Sequence, residues 1–202
     1  MIEKALLYGF QMNREVYMAT MKVLIAYSSR FGHSLKIAEE MSNVFKNNHV
    51  AVDICNLETV ATLPHPMNEY NAVIIAASIR YGKFHEKLNE FIVQYRNELK
   101  NTLDVFIPIN LVARKPHKRL LENNNYVNKF LAEVGWQPSK INIMPGALEY
   151  PKYNFLDRSM IKFIMWMTKG EMDTSKTIDY TDWDEVRALT KEIHQSLLSK
   201  SI

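Results

Sequence analysis

Seven consecutive residues, Ser28-Ser29-Arg30-Phe31-Gly32-His33-Ser34, concentrate groups able to hold an anion. The serine hydroxyls and the Arg30 guanidinium are donors, and Gly32 permits a tight turn. A helix starting at Ser34 would add free N–H groups and the positive end of its dipole, which together favour a phosphate. The spacing is neither that of the P-loop nor that of the dinucleotide fingerprint. One glycine favours a monophosphate over a pyrophosphate. The plain alternative is an ordinary strand-to-helix turn with a serine cap.

Two further segments carry groups of this kind. Ser78-Ile79-Arg80-Tyr81-Gly82-Lys83-Phe84 sets an arginine, an aromatic ring and a glycine side by side. A flat aromatic cofactor can stack on Tyr81 while Gly82 lets the backbone approach it. The alternative is a turn in which Tyr81 is half-exposed. Asn110-Leu111-Val112-Ala113-Arg114-Lys115-Pro116-His117-Lys118-Arg119 packs four Lys/Arg residues into the six from Arg114. Such a run is either a solvated face or a site for carboxylates or phosphates.

The elements around these segments explain why they belong together. Lys22 to Tyr27, Val50 to Ile54, Ala72 to Ala77 and Leu103 to Ile109 are apolar runs rich in β-branched residues. Such runs suit strands buried on both faces of a parallel sheet. Lys140 to Met144 begins a fifth strand. Helical periodicity falls between them, over 34–46, 84–99 and 123–134, and again over 182–198, where Thr181 or Asp182 is the cap. The 123–134 helix ends at Gly135. Strands alternating with helices specify an open, doubly wound α/β sheet. On such a sheet a ligand binds beyond the carboxyl ends of the strands, at the point where strand order reverses. All three segments follow strands. A phosphoacceptor receiver domain shares this architecture but needs acidic residues after strand one, where Ser28 and Ser29 stand.

The chain of 202 residues, 47% hydrophobic, suits one domain with a buried core. Residues 1–20 have no net charge, no long apolar core and no small-residue cleavage site, which argues against a signal peptide. They are expected to be an extension ahead of a domain spanning 21–200; a short docked helix is the alternative. The single cysteine, Cys55, excludes a disulfide framework and any Cys-based zinc cluster. It fits a reducing compartment. A net charge of +3 is too weak a bias to imply nucleic acid.

About thirty residues, 149–180, intervene between strand five and the last helix. Ten of the fifteen residues from Tyr153 to Met167 are apolar. At helical spacing Leu156, Met160, Phe163, Ile164 and Met167 share one face, with Arg158, Lys162 and Lys169 opposite. A basic amphipathic helix of this kind suits an anionic membrane surface through about 153–169, and it is too short and too charged to span. Packing on the domain's own core or on a second subunit is the alternative.

The loop after strand one resembles the flavodoxin-like fold that binds FMN. More narrowly, Ala77 to Gly82, Asn110 to Pro116, Gly146-Ala147-Leu148 with Tyr150-Pro151, and Tyr180-Thr181-Asp182-Trp183 resemble the menaquinone-dependent protoporphyrinogen IX dehydrogenase family, in order along the chain from about Met21 to Leu198. The family usually has threonine where Ser29 and Ser34 stand, and polar residues where Phe31 and His33 stand. The resemblance implies a flavodoxin-like, five-stranded parallel sheet with a helical insertion after strand five. It implies an FMN enzyme of haem biosynthesis that oxidises protoporphyrinogen IX and passes electrons to a membrane quinone, menaquinone or ubiquinone. Its expected place is peripheral, on the cytoplasmic face of the cytoplasmic membrane. Ser29 to Ser34 would hold the FMN phosphate, with Ser28 a further cofactor-binding candidate, and Ser78 to Gly82 and Asn110 to Arg114 would flank the isoalloxazine. Arg80 and Arg114, the candidate catalytic residues, would stabilise the anionic reduced flavin or pair with substrate propionates. His33, His85 and His117 are candidate proton relays. An NAD(P)H-dependent quinone reductase, a flavodoxin-type electron carrier and a membrane-bound module without cofactor are the other readings on this fold.

Overall fold

The computed structural model describes residues 21–199. The expected extension over residues 1–20 lies outside the described residues.

The strands are β1 (Lys22–Ser28), β2 (Ala51–Asn56), β3 (Ala72–Ser78), β4 (Leu103–Asn110), β5 (Lys140–Ile141), β6 (Met144–Pro145), β7 (Ala147–Glu149) and β8 (Thr177–Asp179). The α-helices are α1 (His33–Lys46), α2 (Glu86–Leu99), α3 (Asn125–Val134), α4 (Phe155–Met167) and α5 (Trp183–Ser199). The main sheet runs β2-β1-β3-β4-β5, all parallel, with β6 continuing beside β4.

Alternation along each central strand builds two cores. Val23, Ile25, Ile74 and Ile107 point to one face, where α1 contributes Ile37, Met41 and Phe45, and α5 contributes Val186 and Ile193. Leu24, Ala26, Val73, Ile75 and Phe106 point to the other, against Leu88 and Ile92 of α2 and Val127 and Phe130 of α3. Each of the larger side chains, Val, Leu, Ile, Met and Phe, contributes about 1.5–3 kcal/mol by leaving water. The sheet is therefore doubly wound, as its apolar runs require.

Three local features differ from the sequence reading or decide it. Asp182 caps α5, because its Oδ1 accepts from the N–H groups of Asp184 (3.0 Å) and Glu185 (3.1 Å). Ser34 does not cap α1. The helix starts at His33 behind Gly32 at φ 85°, which has no side chain to cap it. The fifth strand is broken in two. Phe106 O accepts from Asn142 N–H (2.9 Å), so alternate residues of β4 face this strand. Pro108 shares that parity and has no N–H to give, and the ladder lapses beside it before resuming at Met144.

The insertion is closed at its base by antiparallel pairing of β7 with β8. Leu148, Tyr150, Tyr153 and Met165 form a small core of its own, joined to Phe31 and Leu111 of the main domain. Of the residues of α4, only Asp157 and Met165 are buried. Of the apolar face read from the periodicity, Met160, Ile164 and Met167 line the cavity at the strand ends, while Leu156 and Phe163 point outward. Leu156 is 76% exposed, and Met160, Phe163 and Met167 are also exposed, as are Phe155 and Trp166. The reading of this face as packed on the domain's own core is thereby corrected, since the helix sits on the domain through Asp157, Ile161 and Met165 instead. Among the described residues no helix is long and apolar enough to cross a membrane.

Candidate functional site

Strand order reverses between β1 and β3, which places the crevice beyond the carboxyl ends of β1, β3 and β4. The three segments after those strands meet there, beneath α4, around a cavity of about 590 Å³. Of the seventeen residues marked from the sequence, twelve line it: Ser29, Arg30, Phe31, His33, Ser78 to Gly82, and Asn110 to Val112. Ser28, Gly32, Ser34, Ala113 and Arg114 do not.

The first segment is a cradle at the start of α1. Ser29 Oγ accepts from Ser34 N–H at 3.1 Å. Ser34 Oγ and His33 Nδ1 are buried and have no hydrogen-bond partner. Buried polar atoms without partners are costly, and here they sit beside the free N–H groups of a helix start. Ser28 serves the loop from behind, its Oγ donating to Glu58 Oε1 (2.9 Å) while Ser29 N–H donates to the same oxygen (3.0 Å).

The second segment is a tight turn. Arg80 and Lys83 exchange backbone hydrogen bonds of 2.8 and 2.9 Å, and the two residues between them are left-handed, Tyr81 at φ 50° and Gly82 at φ 77°. That geometry favours glycine. A side chain on Gly82 would also meet the Tyr126 ring, which lies 2.9 Å from where its Cβ would be.

The third segment corrects one candidate. Asn110 Oδ1 accepts from Ala113 N–H (2.9 Å) and caps a short 3₁₀ turn, while its Nδ2 is buried without a partner. Ala113 is buried beneath that turn. Arg114 turns away from the cavity and donates to Leu111 O (2.9 Å), Thr168 O (3.2 Å) and Thr168 Oγ1 (2.7 Å). It clamps the carboxyl end of α4, where a cation also meets the negative end of the helix dipole. Arg119 donates to Ala113 O (3.1 Å) and pairs with Glu185 (2.9 Å). The basic run therefore does not gather into an anion site at the ligand edge; its two arginines hold the chain together.

Arg80 meets a partner that local spacing did not reveal. Asp157, buried in the first turn of α4, receives both the Arg80 guanidinium and the Tyr81 hydroxyl on its Oδ1. Arg30 Nη2 lies 3.6 Å from its Oδ2. The Arg80 guanidinium also sits over the rings of Phe31 (5.0 Å) and Tyr81 (4.8 Å). Hydrogen bonds from Arg80, then from Tyr81, hold the Asp157 carboxyl below the usual carboxylate range. Glu149, also buried and lining the cavity, pairs with Lys152 at 2.7 Å and Lys36 at 3.8 Å.

Of the three histidines proposed as relays, only His33 lines the cavity. His85 caps α2 by accepting from Lys87 N–H (3.2 Å), and His117 is exposed. Burial pushes the His33 pKa down. Its Nε2 lies 2.7 Å from Thr181 Oγ1, and that hydroxyl spends its proton on Pro145 O at 3.0 Å. The network therefore assigns the His33 proton to Nε2 and leaves Nδ1 as a lone-pair acceptor.

Residues 24–175 match the family described as Flavodoxin domain. The protoporphyrinogen IX dehydrogenase [quinone] of Escherichia coli strain K12 is 40% identical over 173 residues, 86% of this chain and 94% of that protein. The protein of that name from Leishmania major is 36% identical over 172 residues, 85% of this chain and 74% of that protein. A solved archaeal flavodoxin covers 88% of this chain and 99% of its own, at 14% identity and a TM-score of 0.48. Forty per cent identity across nearly all of a relative, together with the flavodoxin-domain match, places this chain in the flavodoxin-domain family of quinone-dependent protoporphyrinogen IX dehydrogenases.

Proposed function

We propose that this chain uses FMN to oxidise protoporphyrinogen IX to protoporphyrin IX and delivers the electrons to a membrane quinone, menaquinone or ubiquinone. The observation that carries this reading is the cavity itself. It opens at the strand ends, has an anion cradle at one side, and is roofed by a helix whose outer face is apolar.

The residues present fit FMN. Ser29, Arg30 and the N-terminus of α1 suit its phosphate. The turn at Tyr81-Gly82 and the unpartnered Asn110 Nδ2 suit a flat ring with polar edges. When bound, FMN supplies the hydride and electron chemistry. The chain's own residues do the rest. The β1 and β3 loops orient the reactants, α4 excludes water from above, and His33 keeps its proton at Nε2 and offers Nδ1 as an acceptor.

The exposed rings of Phe155, Phe163 and Trp166, with Lys162 and Lys169 nearby, support docking on an anionic bilayer, where a quinone is dissolved. The chain then works as a peripheral protein on the cytoplasmic face of the membrane. The purified protein should show a flavin spectrum and release FMN on denaturation. Anaerobic protoporphyrinogen should bleach that spectrum, and a quinone should restore it. Bleaching by NADPH with none by protoporphyrinogen would contradict the proposal.

A further inference from the structure

The contact between Asp157 and the β3 loop is a poor fit for so crowded a place. Both strong donors, the Arg80 guanidinium and the Tyr81 hydroxyl, fall on one oxygen, Oδ1. The other oxygen, Oδ2, is buried with no hydrogen-bond partner, and Arg30 stands off at 3.6 Å. On the arginine side the mismatch repeats. Arg80 Nη2 serves Asp157 and the Tyr81 hydroxyl (3.1 Å), while Nη1 is buried with no partner. A guanidinium and a carboxylate pair best through two parallel N–H···O bonds. Asp157 has a short side chain fixed to a helix, itself held by Asn154 Oδ1 accepting from its N–H at 2.8 Å, so it presents one oxygen only.

Two guanidinium groups face one carboxylate, and Arg30 is more than half exposed. The segment that brings the carboxylate is also lightly held. Apart from Asp157, α4 buries one residue fully, Met165, and its outer face is in solvent. A carboxylate arriving on a flexible arm can take both Arg80 nitrogens and hydrogen-bond Arg30, whereas Asp157 reaches one Arg80 nitrogen and stands 3.6 Å from Arg30.

We propose that Arg30, Arg80 and Tyr81 form a binding site for a ligand carboxylate, a propionate of the anionic tetrapyrrole, and that Asp157 fills this site as a stand-in until the ligand displaces it. This inference rests on the substrate class proposed above. It gives the insertion a role in binding, because the ligand must loosen the amino end of α4 while the Arg114 clamp keeps the carboxyl end in place.

The test is equilibrium binding to the FMN-loaded protein, in one detergent, of protoporphyrin IX with free propionates and of its dimethyl ester. Wild type should bind the free acid about tenfold tighter than the ester. Asp157→Asn removes the competing charge, and should tighten the free acid about tenfold while leaving the ester unchanged. Arg80→Gln should weaken the free acid to the level of the ester. Flavin content and circular dichroism report that each variant is folded. If Asp157→Asn is unstable, the wild-type and Arg80→Gln comparison decides. Equal affinity of wild type for acid and ester overturns the carboxylate site and leaves the substrate class standing. Weakening of the free acid by Asp157→Asn overturns the stand-in role. Failure of both porphyrins to bind wild type overturns the substrate class, and this inference with it.

Discussion

At the scale of single residues, Gly82 is held by two constraints, a left-handed backbone and the Tyr126 ring lying where a side chain would begin. Gly82→Ala should cost about 1–2 kcal/mol from backbone alone, read as a lowered denaturation midpoint. It should also weaken FMN binding, because Tyr126 or the turn must shift. Unchanged stability and FMN affinity would contradict this account of the turn. His33 makes a pH prediction. Its folded pKa lies below the ordinary 6.5, chiefly through burial, so the unfolded chain takes up a proton first as pH falls. Stability should be retained above about 6.5 and lost progressively below it, toward the depressed folded value. His33→Gln keeps a donor for Thr181 and should flatten that part of the profile. A wild-type profile with no loss in this range would contradict the assignment. The strand-end rule alone drew out Ser29, His33, Arg80, Tyr81 and Asn110. Asp157, Tyr126 and Glu58 were not legible, because each meets the site from a distant element and nothing in local spacing records such a pairing. Arg114 shows the converse: its type was suggestive, but its direction was set by Thr168, far along the chain.

At the scale of elements, β1, β3 and β4 were legible because burial on both faces leaves nearly continuous apolar runs. The fifth strand was legible as one element and is two, since its break is dictated by a proline in the neighbouring strand. Helix α4 is the instructive case. Periodicity groups Leu156, Met160, Phe163, Ile164 and Met167 on one face but does not tell that Met160, Ile164 and Met167 look onto the cavity while Leu156 and Phe163 look out. The helix is held instead by a buried ion pair at one end and an arginine clamp at the other. The outward rings of Phe155, Phe163 and Trp166 predict a separable function. Phe163→Ser with Trp166→Ser, two side chains more than half exposed, should change folding stability by no more than about 0.5 kcal/mol. The same pair should reduce affinity for anionic vesicles about tenfold or more in a flotation assay. Equal loss of stability and of vesicle binding would place this face inside a protein interface instead.

At the scale of the whole molecule, the doubly wound order fixes where a ligand can sit, and the insertion decides what that ligand meets. The formal +3 is distributed, with Arg114 and Arg119 spent on internal bonds and Arg30, Lys162 and Lys169 exposed toward solvent. Those exposed cations lie on or beside the cavity and the α4 face, which is where an anionic substrate and an anionic bilayer would approach. The most direct measurement is steady-state turnover of the FMN-loaded protein under anaerobic conditions. Protoporphyrinogen IX, as donor, is compared with NADPH, and quinone in anionic vesicles is the acceptor. Protoporphyrin IX formation should be coupled to quinone reduction, with NADPH inert. Quinone reduction driven by NADPH, with protoporphyrinogen left unoxidised, would contradict it.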